Sequence, residues 1–427
     1  MRIAKAQLID PERNEIYAIT AVTLSLFAFA YSSLFGQLLI LMLYALWFPL
    51  VAVNYRRVLG HPGMFLPIMA FSLLAIASVM WSAAPSVTAR ASLQFFTHIL
   101  CTLIAARVVN INSFIKGALL GSILCMIYSL LFGYYLLDPL DGTVSFVGAF
   151  SSKNQLGLHA SLGVYYAFAA VVILRMRGLW LLVAAVSGVF SVYCLKESES
   201  ATSVLTILAV IGASLVLRGV DFLSPRHRIV LFLAGSVLGG LCLGAFIYSG
   251  GIDLVLGAFG KDSTLTGRTY LWQQGYSTAL LNPFFGVGYQ AYWVQGFSEA
   301  ERLWDEFYIE TRAGFHFHNT YIETAVELGL VGLLMMITML LTAFVGTLKR
   351  LLTNINDPEA GVLFGLAMLL LERSFVEIDV LFAYQIGSFL LFFILGKLAL
   401  RKARARVSNT SLVRYYGIGV SAKLRQR

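Results

Sequence analysis

The chain has 427 residues, of which 59% are hydrophobic and 12% are charged, and its net charge is +9. Soluble domains carry about 25% charged residues, so this composition excludes an ordinary soluble protein. Apolar runs of about 17 to 25 residues recur along the chain, as expected of a polytopic helical membrane protein. A β-barrel would instead show alternating segments of about ten residues.

Twelve apolar segments predict an all-α polytopic membrane protein with about twelve transmembrane helices. The N-terminus lacks the charged, apolar and cleavage-site pattern of a signal peptide, so the first segment is expected to be retained. The four cysteines fall inside apolar segments and show no metal-ligand spacing. The predicted spans are 17–34, 37–53, 64–81, 93–109, 114–136, 155–174, 179–195, 203–217, 229–249, 319–347, 359–374 and 380–399.

These spans divide the chain into four regions. A nine-helix membrane region (1–249) precedes one large loop (250–318), which is followed by a three-helix membrane region (319–400) and a basic tail (401–427). With both termini placed in the cytoplasm, 23 of the 31 lysines and arginines lie on the cytoplasmic side. Because loops rich in lysine and arginine stay inside, the long loop is predicted to face outward.

The distribution of charge also bears on the class of partner. Much of the positive charge lies in the tail, which predicts contact with anionic lipid and no nucleic-acid partner. No internal repeat of about 20–50 residues is visible, so an inverted-repeat transporter is not supported. Ionisable residues that could carry chemistry cluster on one side, which favours a one-sided enzyme over a transport path.

Polar residues stand at the outward ends of two N-terminal spans. Lys153 and Asn154 are at one such end, and Lys196 begins a turn rich in hydroxyls and charge (196–202). Such groups at a membrane entry are costly unless they are partnered. They serve either as caps and interface anchors or as part of an outward site.

The long loop next combines an arginine with aromatic residues. Arg268 opens an apolar-aromatic helical stretch (270–281), and Trp272, one turn on, shares its face. Arginine matches phosphate oxygens with a rigid fork of donors and stays charged. The alternative is an interfacial amphipathic helix at the level of the lipid head groups. A tight turn (282–288) containing Pro283 and two glycines ends the stretch.

The loop closes with an acidic, aromatic run (299–310) and two histidines. The carboxylates of the run either line a sugar groove or lie on the solvated face of a membrane-surface helix. Thr320 and Glu323 have the spacing of a capping box, which places His318 just outside a helix N-terminus. The helix dipole there disfavours imidazolium and favours anions, so a neutral His318 could take a hydroxyl proton beside a pyrophosphate. His316 and His318 could also hold a metal, but no third ligand is placed by spacing.

A last outward cluster lies between the final two spans. Arg373 and Glu377 are four residues apart, so the simplest interpretation is an ion pair along one helix. Charged residues at a membrane mouth are also candidates for a functional site.

Several of these stretches occur together in one known family. They are Gly267-Arg268 with Trp272, the turn 282–288, His318–Tyr321 with the following segment 327–332, and Lys153-Asn154 with Arg373 and Glu377. In this combination the chain resembles the O-antigen ligase and polymerase superfamily, most closely its exopolysaccharide polymerase branch.

The resemblance implies a glycosyltransferase without metal or other cofactor on the outer face of the bacterial cytoplasmic membrane. The donor would be a glycan on undecaprenyl pyrophosphate, the acceptor another lipid-linked repeat unit, and chain-length regulator or export proteins would be further partners. Arg268 would hold the pyrophosphate, and His318 would lie near the acceptor hydroxyl. The expected substrate-binding residues are Lys153, Asn154, Lys196, Trp272, Asn319, Tyr321, Arg373 and Glu377.

Three other functions stay open from the sequence. A ligase of the same family would transfer the glycan to lipid A core. Such ligases often carry a further arginine near residues 198–202, where this chain has Glu199, and the difference disfavours a ligase. A transporter or flippase of lipid-linked sugars would use charges within its spans, and a receptor or assembly protein would carry out no chemistry.

Overall fold

The structure, a computed structural model, describes residues 5–60, 62–137, 142, 144–251, 257, 267–312, 314–354 and 356–403. In this part of the chain nine helices are long and apolar enough to cross a membrane. Shorter helices occupy the other three predicted spans, at Gln37–Val53, Pro358–Arg373 and 386–403. The multi-pass helical class is therefore confirmed, while the count of twelve, the four-region division and the orientation stay predictions.

The N-terminal region is a bundle of apolar helices. Helices that are apolar on all sides are typical of a membrane environment, where lipid or neighbouring helices surround them. In chain order they are α1 (Glu15–Phe35), α2 (Gln37–Trp47), α3 (Pro49–Val53), α4 (Tyr55–Leu59), α5 (Pro62–Ala77), α6 (Pro85–Val108), α7 (Ile111–Phe132), α8 (Lys153–Phe168, continued by a π-helical turn, Ala169–Ile173), α9 (Leu179–Glu197), α10 (Ala201–Gly219) and α11 (Pro225–Tyr248).

Small residues bring α1 and α7 close together. A Cβ atom added to Gly117 would lie 2.7 Å from the carbonyl oxygen of Ile19. One added to Gly121 would lie 2.9 Å from the Leu26 Cβ. Because lipid offers no hydrophobic drive for helix association, close packing of this kind stabilises the pair.

A β-hairpin follows α7 and was not predicted. Its strands, β1 (Tyr134–Leu137) and β2 (Val144–Gly148), are antiparallel. The predicted span 114–136 therefore runs too far, since α7 ends at Phe132. A short apolar run fits a strand as well as a helix, and only the pairing with β2 decides between them.

The C-terminal region carries the loop helices and the last membrane helices. They are α12 (Arg268–Leu281), α13 (Ser298–Glu306), α14 (Thr320–Thr353), α15 (Pro358–Arg373) and α16 (386–403). The helices predicted within the long loop are confirmed where the loop is described, whereas residues 252–256 and 258–266 and most of the basic tail (404–427) lie outside the described residues. The loop has a hydrophobic core of its own, which includes Leu271, Tyr292, Trp304 and Phe317.

The turn 282–288 is joined to a break in α14. Gly329 has φ 64° and ψ −164°, so the helical hydrogen bonds are interrupted there. The Leu330 amide donates instead to the Pro283 carbonyl at 2.8 Å. The Gly288 amide donates to the Glu327 carbonyl at 2.9 Å. The turn thus satisfies backbone groups that the break would leave unpaired, and it fixes the loop to the membrane helix.

Candidate active site

Glu377 joins three residues that are far apart in the sequence. Arg268, at the start of α12, donates from Nη2 to Oε1 of Glu377 at 2.8 Å. Asn154, in the first turn of α8, donates from Nδ2 to the same oxygen at 2.8 Å. His318 Nδ1 lies 3.3 Å from Oε2. Four of the candidate residues named from the sequence are therefore in contact in the structure, and their functional roles stay predictions.

The carboxylate of Glu377 is buried yet charged. Burial by itself would raise its pKa, but the guanidinium of Arg268 and the hydrogen bond from His318 hold that pKa well below its ordinary value. An ionised carboxylate can only accept hydrogen bonds, so Nδ1 of His318 carries the proton in this contact. This tautomer directs Nε2 away from the carboxylate.

His318 is held by the start of α14. Its backbone has φ 50°, in the left-handed region that residues other than glycine rarely use. Asn319 caps the helix, since its side chain accepts from the Tyr321 and Ile322 amides at 3.0 and 3.1 Å. Thr320 Oγ1 donates to the Glu377 carbonyl at 2.7 Å, which links the start of α14 to the segment after α15 that carries Glu377.

The capping box predicted at Thr320 and Glu323 is correct in that a helix begins at Thr320. It is wrong about the residue that caps this helix. The cap residue is Asn319, one position before Thr320. Glu323 does reach back, but its Oε2 accepts from the Phe317 amide at 3.0 Å. Asn319 is the cap because its side-chain oxygen accepts from two amides of the first turn at once.

Arg373 pairs with a residue that was not predicted. Its Nε donates to Oδ2 of Asp379 at 2.5 Å, and its Nη1 donates to Ser203 Oγ at 2.9 Å. The expected i,i+4 pair with Glu377 does not form because α15 ends at Arg373, and the following residues leave the helix. Glu377 is thereby free to turn towards Arg268.

Two serines connect Arg373 to the Glu377 cluster. Ser200 Oγ lies 3.0 Å from both Ser203 Oγ and Asn154 Oδ1. The result is a continuous polar network from Arg373 through the serines and Asn154 to Glu377. Buried networks of this kind orient their members more strongly than isolated pairs do. The hydroxyl-rich turn 196–202 and the polar cluster after Arg373 were the signals in the sequence for these serines and for Asp379.

A cavity of about 740 Å³ opens beside this network. Its polar wall comes from Asn154, His316, His318, Arg373, Glu377 and Asp379. The lining also has apolar residues, among them Phe29, Leu136, Leu137, Phe150 and Ile386. Hydroxyl-bearing ligands with apolar ring faces fit such a mixed lining.

His316 lies in the cavity wall, and its surroundings keep it uncharged. Burial lowers its pKa below the ordinary value, and the neighbouring His318 lowers it further. Its Nδ1 is 3.8 Å from Glu323 Oε1, too far for a hydrogen bond. Among the described residues no group of three or more histidines, cysteines or acidic residues is arranged to hold a metal ion.

The other predicted site residues have supporting positions. Trp272 donates from Nε1 to the Phe317 carbonyl at 2.9 Å, directly before His318. The Tyr321 hydroxyl lies 2.8 Å from Ser374 Oγ. Lys153 begins α8 beside Asn154. Lys196 is different, because 81% of its side chain is exposed and it pairs with Glu197 rather than with the cluster.

The acidic helix α13 forms ion pairs of its own. Glu301 pairs with Arg312 at 3.0 Å, and Glu306 pairs with Arg302 at 2.6 Å. Leu303 and Trp304 on the other face are buried. α13 is therefore amphipathic, as one of the two predicted alternatives requires, while its place at a membrane surface stays a prediction.

Comparisons with known proteins show the family to which the chain belongs. A model of the family described as O-Antigen ligase matches residues 162–337, which include Arg268 and His318. The chain is 58% identical over 404 residues to the exopolysaccharide production protein ExoQ of Rhizobium meliloti (strain 1021), across 95% of this chain and 93% of that protein. The resemblance read from the motifs is thereby confirmed. The chain belongs to the O-antigen ligase family of membrane ligases and polymerases that act on polysaccharides.

Proposed function

We propose that the protein is a glycosyltransferase that polymerises undecaprenyl-pyrophosphate-linked repeat units into an exopolysaccharide or O-antigen chain. The reaction takes place on the outer face of the cytoplasmic membrane. The observation that carries the proposal is the contact of Glu377 with both Arg268 and His318 beside a cavity of sugar size. The relative named as an exopolysaccharide production protein and Glu199 in place of a further arginine favour a polymerase over a ligase.

The acceptor sugar enters the cavity and is activated by His318. Nε2 takes the proton of the acceptor hydroxyl as that oxygen attacks the anomeric carbon of the donor. The Glu377 carboxylate, bonded to Nδ1, stabilises the imidazolium that forms. Asn154 and Arg373 line the same cavity and are suited to hydrogen bonds with further sugar hydroxyls.

The donor is held by Arg268. As the bond from the anomeric carbon to the pyrophosphate breaks, negative charge grows on the leaving group, and a guanidinium stabilises it. Two of the five N–H groups of Arg268 are used by Glu377 and by the Val376 carbonyl, and these contacts fix the direction of the fork. The other donors are left for phosphate oxygens. Lys153 and Lys196 stay candidates for a second cation.

The proposal is tested by incubating the purified protein with a lipid-linked repeat unit. A ladder of products is expected. One product on added lipid A core would identify a ligase, and movement of the unmodified lipid across the bilayer would identify a flippase. Because the proposed reaction uses no metal, a chelator should leave the ladder unchanged. Loss of the ladder, restored by a divalent ion, would contradict a metal-independent reaction and make His316 and His318 candidate metal ligands.

Variants of Arg268 test the donor contact in the same assay. Arg268→Ala and Arg268→Lys are both expected to lower turnover by about a hundredfold or more, because a point charge cannot replace the bidentate fork. Arg302→Lys on the exposed face of α13 is the matched control and should retain turnover. Full activity of Arg268→Ala would end the assignment.

A further inference from the structure

A second cavity, of about 490 Å³, lies at the far end of the helices that carry the candidate active site. Helices α8, α10 and α15 hold Asn154, Ser203 and Arg373 at one end. At their other ends they hold Arg175, Arg218 and Asp357, which line this cavity. A helix rises about 1.5 Å per residue, so the roughly 15 to 21 residues between the two ends span about 22–31 Å, comparable with a membrane core of about 30 Å.

The lining of this cavity is half polar and half apolar. One wall is formed by Ile173, Leu174, Leu351 and Phe364. The other presents two guanidiniums, two carboxylates, a hydroxyl and two amides, which belong to Arg175, Arg218, Asp221, Asp357, Ser214, Asn112 and Asn356. A site of this composition suits an amphipathic ligand.

The charge balance of the polar wall favours an anion. Asp221 is paired with Arg228 at 3.3 Å. Asp357 is paired with Arg350 at 3.0 Å and also with Arg401. No described carboxylate pairs with Arg175 or Arg218, so these two guanidiniums are in excess. The acids are already neutralised and offer little to an ammonium group.

Two residues that line the cavity, Ser214 and Arg175, have unusual surroundings or backbone geometry. Ser214 is 7% exposed, and its Oγ has no hydrogen-bond partner among the described residues. Buried hydroxyls are normally partnered, so this one suits a ligand oxygen. Arg175 follows the π-helical turn Ala169–Ile173 and has φ 52°. The widened turn and the left-handed residue direct the chain so that the Arg175 side chain lines the cavity, and such distortions often mark functional positions.

We propose that this cavity binds the phosphate-bearing head group of an anionic membrane lipid. Arg175 and Arg218 contact the phosphate with charge-assisted hydrogen bonds, and Ser214 donates to a phosphate oxygen. The apolar wall packs against the first carbons of an acyl chain. In the predicted orientation the lipid belongs to the cytoplasmic leaflet, where anionic lipids are expected to meet the basic segments.

The proposal predicts selective stabilisation of the whole protein by anionic lipid. The purified full-length protein in a zwitterionic detergent is titrated with short-chain phosphatidylglycerol, and thermal unfolding is followed, because a ligand of the native state raises the unfolding temperature. Short-chain phosphatidylcholine and inorganic phosphate are titrated in parallel. We expect a rise with phosphatidylglycerol alone.

Variants of Arg175 and Arg218 test whether the lipid binds in this cavity. Arg175→Gln and Arg218→Gln should each weaken the apparent affinity for phosphatidylglycerol by about tenfold or more, the usual effect of losing a hydrogen bond to a charged group. Arg177→Gln is the matched control, since Arg177 is exposed and is not a lining residue, and it should respond as the parent does. The single variants keep one guanidinium each, so that folding is retained.

Three outcomes would overturn the proposal. The first is an equal response to phosphatidylcholine, and the second is an unchanged affinity in both arginine variants. The third is a shift with inorganic phosphate and none with phosphatidylglycerol, which would assign the cavity to a soluble phosphate compound instead of a lipid.

Discussion

Glu377 is the residue at which the candidate active site is assembled. Its two carboxylate oxygens accept from Arg268, Asn154 and His318, and its backbone carbonyl accepts from Thr320. From the sequence, Glu377 is expected among the substrate-binding residues, with Arg373 as its simplest partner. The structure gives Arg373 to Asp379 instead, so Glu377 becomes a candidate for positioning both reacting partners.

Variants of His318 and Glu377 distinguish a general base from the residue that positions it. We expect His318→Ala to lower turnover by about a hundredfold or more, the usual scale of general-base catalysis. Glu377→Gln should lower turnover less, because its amide oxygen still accepts a hydrogen bond from Nδ1. Some turnover should still be lost, because a neutral amide does not stabilise the imidazolium. The readout is turnover at saturating lipid-linked donor, with Asp305→Asn on the exposed face of α13 as the control. If His318→Ala matched the parent, the histidine would have no part in the mechanism.

The lowered pKa of Glu377 also predicts how stability depends on pH. Its folded-state pKa lies below the unfolded value of about 4.3, so ionisation stabilises the folded protein. This stabilisation is complete above the unfolded pKa and is lost as the pH falls through the folded pKa. The unfolding temperatures of the parent and of Glu377→Gln should therefore differ by a constant amount between about pH 6 and 8 and converge below about pH 4. A difference that grew on acidification would contradict the ion pair with Arg268.

At the scale of elements, the break in α14 and the turn 282–288 pack against each other as one structural unit. A Cβ atom added to Gly329 would lie 2.2 Å from the Phe284 carbonyl carbon, and one added to Gly286 would lie 2.4 Å from the Glu327 carbonyl carbon. Each glycine is needed because the other segment approaches its backbone directly. The joint fixes the first turns of α14, and hence His318, relative to the loop.

Replacement of Gly329 tests this joint. Gly329→Ala places a side chain at φ 64° and against the turn, so we expect a loss of at least about 1–3 kcal/mol from the backbone alone, with more from the clash. Gly212→Ala is the matched control, since nothing lies within 4 Å of the added Cβ in α10. That change should be neutral or slightly stabilising. Thermal unfolding in one detergent measures both, and similar values for the two variants would show that the joint is not tight.

At the scale of the molecule, the distribution of lysine and arginine predicts the orientation. The candidate site and the second cavity lie at opposite ends of α8, α10 and α15. The basic residues around the second cavity, Arg175 and Arg218 among them, belong to the side that the positive-inside rule places in the cytoplasm.

Labelling of a single cysteine tests the orientation. Asp305 lies on the exposed face of α13, with 74% of its side chain accessible. Of the native cysteines in the described residues, Cys101, Cys125 and Cys194 are buried and Cys242 is exposed, so Cys242→Ala gives the background. An impermeant thiol reagent should label Asp305→Cys in intact cells. Labelling only after the membrane is permeabilised would reverse the predicted topology.

The sequence by itself determined the class of the protein and most of its candidate residues. Apolar runs of spanning length must be helical in lipid, because every backbone group has to be satisfied within its own segment. The helix starts near Arg268 and Thr320 follow from local signals of the same kind. Recognition of the family needed only short motifs, and the relatives confirm it.

The tertiary structure alone decided which of these residues meet. Glu377 lies 109 positions from Arg268 and 59 from His318, and Gly329 meets a turn more than forty positions earlier. Periodicity describes which face of a helix is apolar, but it does not specify which distant polar groups pair across elements. That choice depends on where α15 ends and on which partners satisfy each buried charge, and only the packed chain settles it.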